Sequence, residues 1–397
     1  MDQISALPRP EHPRPDFMRD TYWNLNGPWQ FAFDDADVGL REGWQHGRRL
    51  DREIIVPFCY QCAASGIGDE GIHPVLWYRR AFAAPALEPG QRLLLRFGAV
   101  DYACDVYVNG THVGGHEGGY TPFAMDVTHA LRPGENDLCL RVTDTPDCAQ
   151  PRGKQYWREG LMGCWYTPVS GVWQTVYLEA VGATALRRVH ITPDIDRGTA
   201  AFDVALDARP ARPLTLRVEI GLHGEPVATV ETCILGNRLS VTADLTGDPG
   251  INPLSLWWPH RPELYDATLT LADGDTVLDR VRTYFGMRSV ERRNGQVLLN
   301  HHALYQRLVL DQGYWPDSLL TAPSDEALRR DVELTLALGY NGARKHQKVE
   351  DPRYYYWADK LGLLVWGEVP SAYEFCQDEI RNLADTLADF IDRDYNH

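Results

Sequence analysis

The 397 residues are too many for one ordinary domain and enough for two or three. A formal net charge of −16 repels phosphate backbones, which argues against nucleic acid as a partner and suits a neutral ligand. Hydrophobic residues make up 44% of the chain, enough for sizeable cores, yet no apolar run is long enough for a membrane span.

Residues 1 to 19 are rich in Pro, Arg and acids and lack an apolar centre, so they do not read as a secretory leader. A cytoplasmic location with reduced thiols is therefore expected. The eight cysteines show no disulfide-type spacing, and Cys59-x-x-Cys62 has no second ligand pair to complete a zinc site. No metal and no cofactor is expected. The 12 Trp and 19 Tyr are mostly core candidates, although sugars also stack their C–H faces on such rings.

From residue 20 to about 182 the chain reads as all-β. Short alternating runs recur at Trp29–Phe33, Leu93–Phe97, Cys104–Val108, Leu138–Val142 and Val176–Leu178. Asn109-Gly110 is a strong two-residue hairpin signal, and the spacing suggests a sandwich or jelly roll. Gly66 to Gly71 matches the GxGxxG pattern, but no helix can follow through His73-Pro74, and Asp69 and Glu70 would repel a pyrophosphate. It is read as a surface loop. Residues 183 to about 287 are β-rich again, with runs at Thr199–Leu206, Leu214–Gly221, Leu239–Asp244, Ala267–Leu271 and Val277–Arg282, near the size of an immunoglobulin-like sandwich.

From about residue 288 the period changes. Val297–Leu299 and Leu304–Leu310 read as strands. Ser324 with Asp325 and Glu326 starts a helix that Gly339 stops. A second strand ends at Arg344. Asp351 as N-cap, Pro352 at the first helical position and Gly362 at the C-terminus frame a second helix. Leu363–Trp366 is a continuous apolar run, as in a strand buried on both faces. A third helix spans about Cys376 to Arg393, with Ile380, Leu383, Leu387 and Phe390 on one face. This is the opening of a (β/α)8 barrel, in which polar residues just after the strands line the active-site face. Asp311, Gln312, Arg344, Lys345, His346, Gln347 and Glu368 occupy such places. Arg344 and Glu368 simply pairing with each other is the plainer alternative. His301 and His302 are adjacent and point apart, a poor metal pair.

Asn341-x-x-Arg344, then a helix, then Leu361-Gly-Leu-Leu-Val-Trp-Gly-Glu368, resembles the barrel signature of glycoside hydrolase family 2, which includes β-galactosidases, β-glucuronidases and β-mannosidases. Leu25-Asn-Gly-Pro-Trp29, Trp77-Tyr-Arg-Arg80, Val106-Tyr-Val-Asn-Gly110, Gly118-Gly-Tyr-Thr-Pro-Phe123 and Ser170-Gly-Val-Trp173 resemble the family's sugar-binding jelly roll, in the right order. Trp257-Trp-Pro259 resembles its central sandwich. The resemblance implies a β jelly-roll sandwich over 1–182, an immunoglobulin-like β-sandwich over 183–287 and an incomplete (β/α)8 TIM barrel over 288–397. It also lets the Gly66–Gly71 loop and the Trp157–Tyr166 segment reach over the barrel mouth. Trp165 stands about where galactosidases of the family often carry an acid, and it joins the candidate substrate contacts; hairpin packing is its plainer role.

The departures bear on which sugar is bound. Arg344-Lys-His-Gln-Lys348 replaces the common Arg-x-Ser-His-Tyr-Pro, and Gly367 stands where an acid is frequent. The family's acid/base glutamate ends strand 4 and its nucleophile ends strand 7, so both catalytic glutamates are expected beyond His397, and Glu368 is expected in a supporting role. The implied activity is that of a retaining exo-β-glycosidase acting on a carbohydrate substrate, with residues 1–397 as an inactive part of it. A non-catalytic carbohydrate-binding protein and a purely structural protein are the alternatives. Three strands do not close a barrel, and an open parallel edge invites homo-oligomer formation.

Overall fold

The computed structural model describes residues 7–397, apart from 159, 161, 247–253 and 375. Between residues 22 and 181 the alternating runs form two large antiparallel sheets, beside a two-stranded one of Val100–Asp101 and Gly171–Val172. One has four strands, in spatial order Tyr22–Asn24, Val176–Val181, Arg92–Phe97 and Phe123–Asp126. The other has six, in the order Arg52–Val56, Gly27–Phe33, Val75–Ala83, Glu135–Thr143, Ala103–Val108 and Thr111–Glu117. Trp29, Phe31, Tyr78, Val106 and Leu140 of the larger sheet share one core with Leu95, Phe97 and Leu178 of the smaller, each such side chain worth roughly 1.5–3 kcal/mol of burial. Val108 pairs with Thr111, and Asn109 (φ 52°) and Gly110 (φ 78°) sit between them in the left-handed conformations that a type I′ turn requires.

The strand Val75–Ala83 escaped the sequence pattern because its first five residues are all buried. Its outer face is covered by a second small core containing Trp44, Leu50, Trp77 and Cys139, so the alternation of a half-exposed strand is absent.

The next sheets have three strands (Leu186–Asp194, Thr199–Leu206, Arg238–Asp244) and four (Glu225–Ile234, Leu214–Leu222, Tyr265–Asp273, Thr276–Phe285). Phe202, Leu216, Leu269 and Phe285 fill the space between them. Glu225–Ile234 lies at a sheet edge and is largely exposed, which left it without a hydrophobic signal.

Beyond residue 300 three strands run parallel in the order Leu308–Asp311, Gly342–Lys345, Leu364–Gly367. Helices α1 (Asp325–Ala337), α2 (Pro352–Leu361) and α3 (Gln377–Asp394) alternate with them. The caps act as the sequence implies: the Ser324 side chain accepts from the Ala327 amide, Asp351 accepts from the Arg353 amide, and Gly362 (φ 86°) closes α2. Leu328, Val332, Ala343, Tyr354 and Ala358 join the helices to one face of the sheet. Two expectations are corrected here. The first strand begins at Leu308, not Leu304; the Leu304 amide donates instead to the Val297 carbonyl, tying it to a small antiparallel sheet that contains Gln296–Leu299. The third strand is not buried on both faces, because α1 and α2 cover only one, and Trp366 and Leu310 on the other are more than half exposed.

The N-terminal segment straps these parts together. Arg9 donates to Asp351 (2.9 Å), the His12 carbonyl accepts from Arg353 (2.9 Å), and Arg19 bridges Glu179 and Asp279 (2.9 Å each).

Candidate functional site

The parallel register sets Asp311, Lys345 and Gly367 side by side, so the residues that follow emerge at one end of the sheet. Gln312 Nε2 and His346 Nδ1 are 3.1 Å apart. The Gln347 amide donates to Glu368 Oε2 at 3.2 Å, and Arg344 Nε donates to Glu368 Oε1. The sheet thus brings Asp311, Gln312, Arg344, His346, Gln347 and Glu368 together at one rim. His346 titrates below the ordinary range because partial burial disfavours its charge; Glu368 opposes that shift, while Arg344 and Lys154 add to it.

Lys345 is a correction. Although it belongs to the same rim by sequence, its side chain is 1% exposed and points into the structure, where Nζ meets Asp311 (2.7 Å) and Glu350 (2.8 Å). It is therefore a structural ion-pair partner and unavailable to a sugar. Glu350 is the residue that sequence reasoning missed. It holds both Lys345 and Lys348 (2.9 Å), and Lys348 also donates to the Gly313 and Leu320 carbonyls at 2.7 and 2.9 Å. Burial works against the Glu350 charge, but the two ammonium groups prevail and hold its carboxyl at about 2. The lysines respond in opposite directions. Burial disfavours the charge on both; for Lys345 it is outweighed by Glu350, Tyr354 and Asp311 together, whereas for Lys348 it prevails. The string Lys345-x-x-Lys348-x-Glu350-Asp351 reads in sequence as an ordinary solvated connection, because charged residues are mostly exposed, so its inward pairing carried no distinct signal.

A loop from the first sandwich closes over this rim. Gly153 has φ +61°, and a Cβ there would lie 2.2 Å from the Gln347 carbonyl oxygen, so only glycine permits the approach. The Gly153 amide donates to the Ser371 carbonyl at 2.9 Å, and the Tyr373 hydroxyl reaches both the Gly153 carbonyl and Gln347 Oε1, the latter at 3.1 Å. Trp157 stacks on Tyr373 at 4.7 Å and Trp165 meets it edge-on at 5.8 Å. Trp165 is half-buried and packs also on Tyr156 and Trp157. Tyr166 stacks on Tyr314 at 4.2 Å, and its hydroxyl donates to Gln312 Oε1.

Beneath the loop lies a buried polar floor. Gln155 Nε2 donates to Asp101 Oδ2 (2.7 Å) and Tyr120 (3.0 Å), while Arg152 and Ser170 bind Asp144 (2.7 and 2.5 Å). Two carboxylates here face one guanidinium. Burial, then the Asp144 charge, pushes the Asp101 carboxyl up to about 7.

The remaining sequence candidates separate. Gly66–Gly71 follows a single 3-10 turn as a loop, with no helix after it. Cys59 and Cys62 are buried, and the Cys62 thiol meets the Cys59 carbonyl at 3.1 Å. His301 pairs with Glu291 and Asp196, whereas His302 lies beside Trp258. Among the described residues, Asp147, Cys148 and Glu374 bring donor atoms within 4.8 Å of one another, a partly exposed acidic group offering only three ligands. Also among the described residues, no helix is long and apolar enough to cross a membrane.

Residues 22–161 match the family model "Glycosyl hydrolases family 2, sugar binding domain", and residues 184–288 match "Glycosyl hydrolases family 2". A β-galactosidase of Thermoanaerobacter pseudethanolicus is 27% identical over 94% of this chain, and a β-glucuronidase of Paenibacillus borealis is 24% identical over 94%. The chain spans 48% and 65% of those proteins' lengths. The β-glucuronidase of Ruminococcus gnavus in complex with D-glucuronic acid superimposes with a TM-score of 0.79 at 21% identity, over 96% of this chain and 66% of that one, which extends the likeness of fold past residue 288. With two family models that together match more than half of its residues in the expected order, the chain belongs to glycosyl hydrolases family 2.

Proposed function

We propose that residues 1–397 form the sugar-binding and substrate-pocket part of a retaining exo-acting β-glycosidase. In this reading residues 1–182 are the jelly roll, 183–287 the immunoglobulin-like sandwich, and 288–397 the opening units of a (β/α)8 barrel. The observation that carries it is the convergence of Gln312, Arg344, His346, Gln347 and Glu368 at the C-terminal ends of parallel strands, under a loop from the first sandwich. In parallel barrels that end is the chemical one. The relatives act, by their names, on β-glucuronides and β-galactosides, and both sugars offer the hydroxyl groups that such a rim can bind.

Retaining hydrolysis needs two carboxyl groups about 5–5.5 Å apart, one as acid and one as nucleophile. Here Glu368 is engaged by Arg344 and the Gln347 amide, and Asp311 by Lys345. Both rim carboxyl groups thus have their oxygens engaged by partners within the chain, an arrangement suited to positioning. This favours, as a second reading, carbohydrate binding without catalysis by residues 1–397 alone. The mass of the native gene product establishes the polypeptide to which they belong. That product, tested on a panel of aryl β-glycosides, is expected to hydrolyse at least one. Purified chain 1–397 is expected to show no turnover, since loss of a general acid alone is commonly worth about 10²–10⁴-fold. Turnover by chain 1–397, or none by the native product on any β-glycoside, would overturn the proposal.

A further inference from the structure

The loop over the rim reaches His346 through a directed chain of hydrogen bonds. The Tyr166 hydroxyl donates to Gln312 Oε1, so the other end of that amide, Nε2, is the donor facing His346 Nδ1 at 3.1 Å. A ring nitrogen that accepts carries no proton, and in a neutral imidazole the proton then resides on the other nitrogen. Tyr166 is held for this task by its stack on Tyr314 at 4.2 Å. The charged groups around His346 are Arg344 on the strand that leads to it, Glu368 just after the neighbouring strand and Lys154 on the loop.

We propose that Tyr166 is a positioning residue that, through the Gln312 amide, fixes His346 as the Nε2–H tautomer and so gives the rim one defined donor for a substrate hydroxyl. The role of that donor rests on the glycosidase reading; the tautomer does not. A neutral imidazole with its proton on Nε2 donates to a sugar oxygen, whereas the other tautomer would offer only an acceptor. The sandwich loop would thereby set the polarity of a group on another part of the chain.

The test is 15N-histidine NMR on chain 1–397, with His346→Asn to assign the resonances. Wild type is expected to show a protonated Nε2 and an unprotonated Nδ1. Tyr166→Phe keeps the ring stack and removes the donor, so the Gln312 amide is free to turn and a mixture of tautomers is expected with thermal stability unchanged. Gln312→Glu supplies a carboxylate, which is expected to draw the proton to Nδ1 and raise the His346 titration above its wild-type position. In the native product, Tyr166→Phe is expected to raise KM by about 2–10-fold, the range of one modest hydrogen bond, with a smaller change in kcat. An Nδ1–H tautomer in wild type, or a tautomer unmoved by Tyr166→Phe, would overturn the proposal even if glycosides are hydrolysed. The expected tautomer shifts without glycoside turnover would instead leave it standing and remove the glycosidase reading.

Discussion

At single residues the fit between sandwich and rim is tightest at Gly153. Its left-handed backbone costs an L-residue about 1–2 kcal/mol, and a Cβ would also strike the Gln347 carbonyl oxygen at 2.2 Å. Gly134 has a similar φ of +85° with open space around it, so it reports the backbone cost alone. Gly153→Ala is expected to lower the unfolding free energy by more than Gly134→Ala, with the difference detectable in urea titrations and accompanied by Trp fluorescence changes from the Trp157–Tyr373 stack. Equal losses would mean that the loop does not bear on Gln347. The rim residues were legible in the sequence because strand ends are marked by abrupt changes from apolar to polar. The inward turn of Lys345 was not, because a lysine at a strand end looks the same whether it faces a ligand or a buried glutamate. Glu350 decides the matter, and its burial depends on Gly313, where a Cβ would lie 2.5 Å from Glu350 Oε2.

At the level of elements, caps carried the most information. Ser324, Asp351-Pro352 and Gly362 set the helix limits through local hydrogen bonds, which a sequence displays directly. Strands such as Val75–Ala83 depend on what covers their outer face and were invisible. The covering loop adds a pH dependence of its own. Its floor contains Asp101, whose folded carboxyl sits at about 7, well above the ordinary value of roughly 3.9. The folded state therefore holds this proton more tightly than the unfolded chain. The corresponding stability is complete below the unfolded value and is lost as pH rises through the folded one. Between pH 5 and 6 the loss runs at about 1.2–1.4 kcal/mol per pH unit, and it slackens as pH passes through 7. Asp101→Asn keeps an acceptor for Gln155 and removes the titration, so its stability relative to wild type is expected to rise over that window and level off above it. Parallel pH profiles of the two proteins would exclude Asp101 as the titrating group.

For the whole molecule, the large apolar side chains of the sandwich cores are enclosed, whereas several of the α/β segment are open. Phe202, Leu216 and Leu269, like Trp29 and Phe31, are fully enclosed. In contrast Leu310, Trp366, Ile380 and Ile391 are 52%, 55%, 61% and 53% exposed, and among the described residues both outer strands of the parallel sheet have an unpaired edge. The sequence signalled this imbalance, because the apolar stripe of α3 and the run Leu363–Trp366 ask for more partners than three strands and three helices supply. Fully burying a side chain of this size is worth roughly 1.5–3 kcal/mol, so leaving four about half open forgoes roughly 3–6 kcal/mol, a sizeable part of the 5–15 kcal/mol that holds a typical domain. Unpaired strand edges add a template for pairing with another chain. Chain 1–397 is therefore expected to self-associate through this segment. Sedimentation velocity should show a mass that rises with concentration, and Trp366→Glu combined with Ile380→Glu should restore the monomer without altering strand protection in the sandwiches. The strap contacts from Arg9 to Asp351 and from Arg353 to His12 should keep α2 folded throughout. A chain that stays monomeric at high concentration, with slow hydrogen exchange across Leu308–Asp311 and Leu364–Gly367, would show that the strap and α1–α2 packing alone sustain the segment.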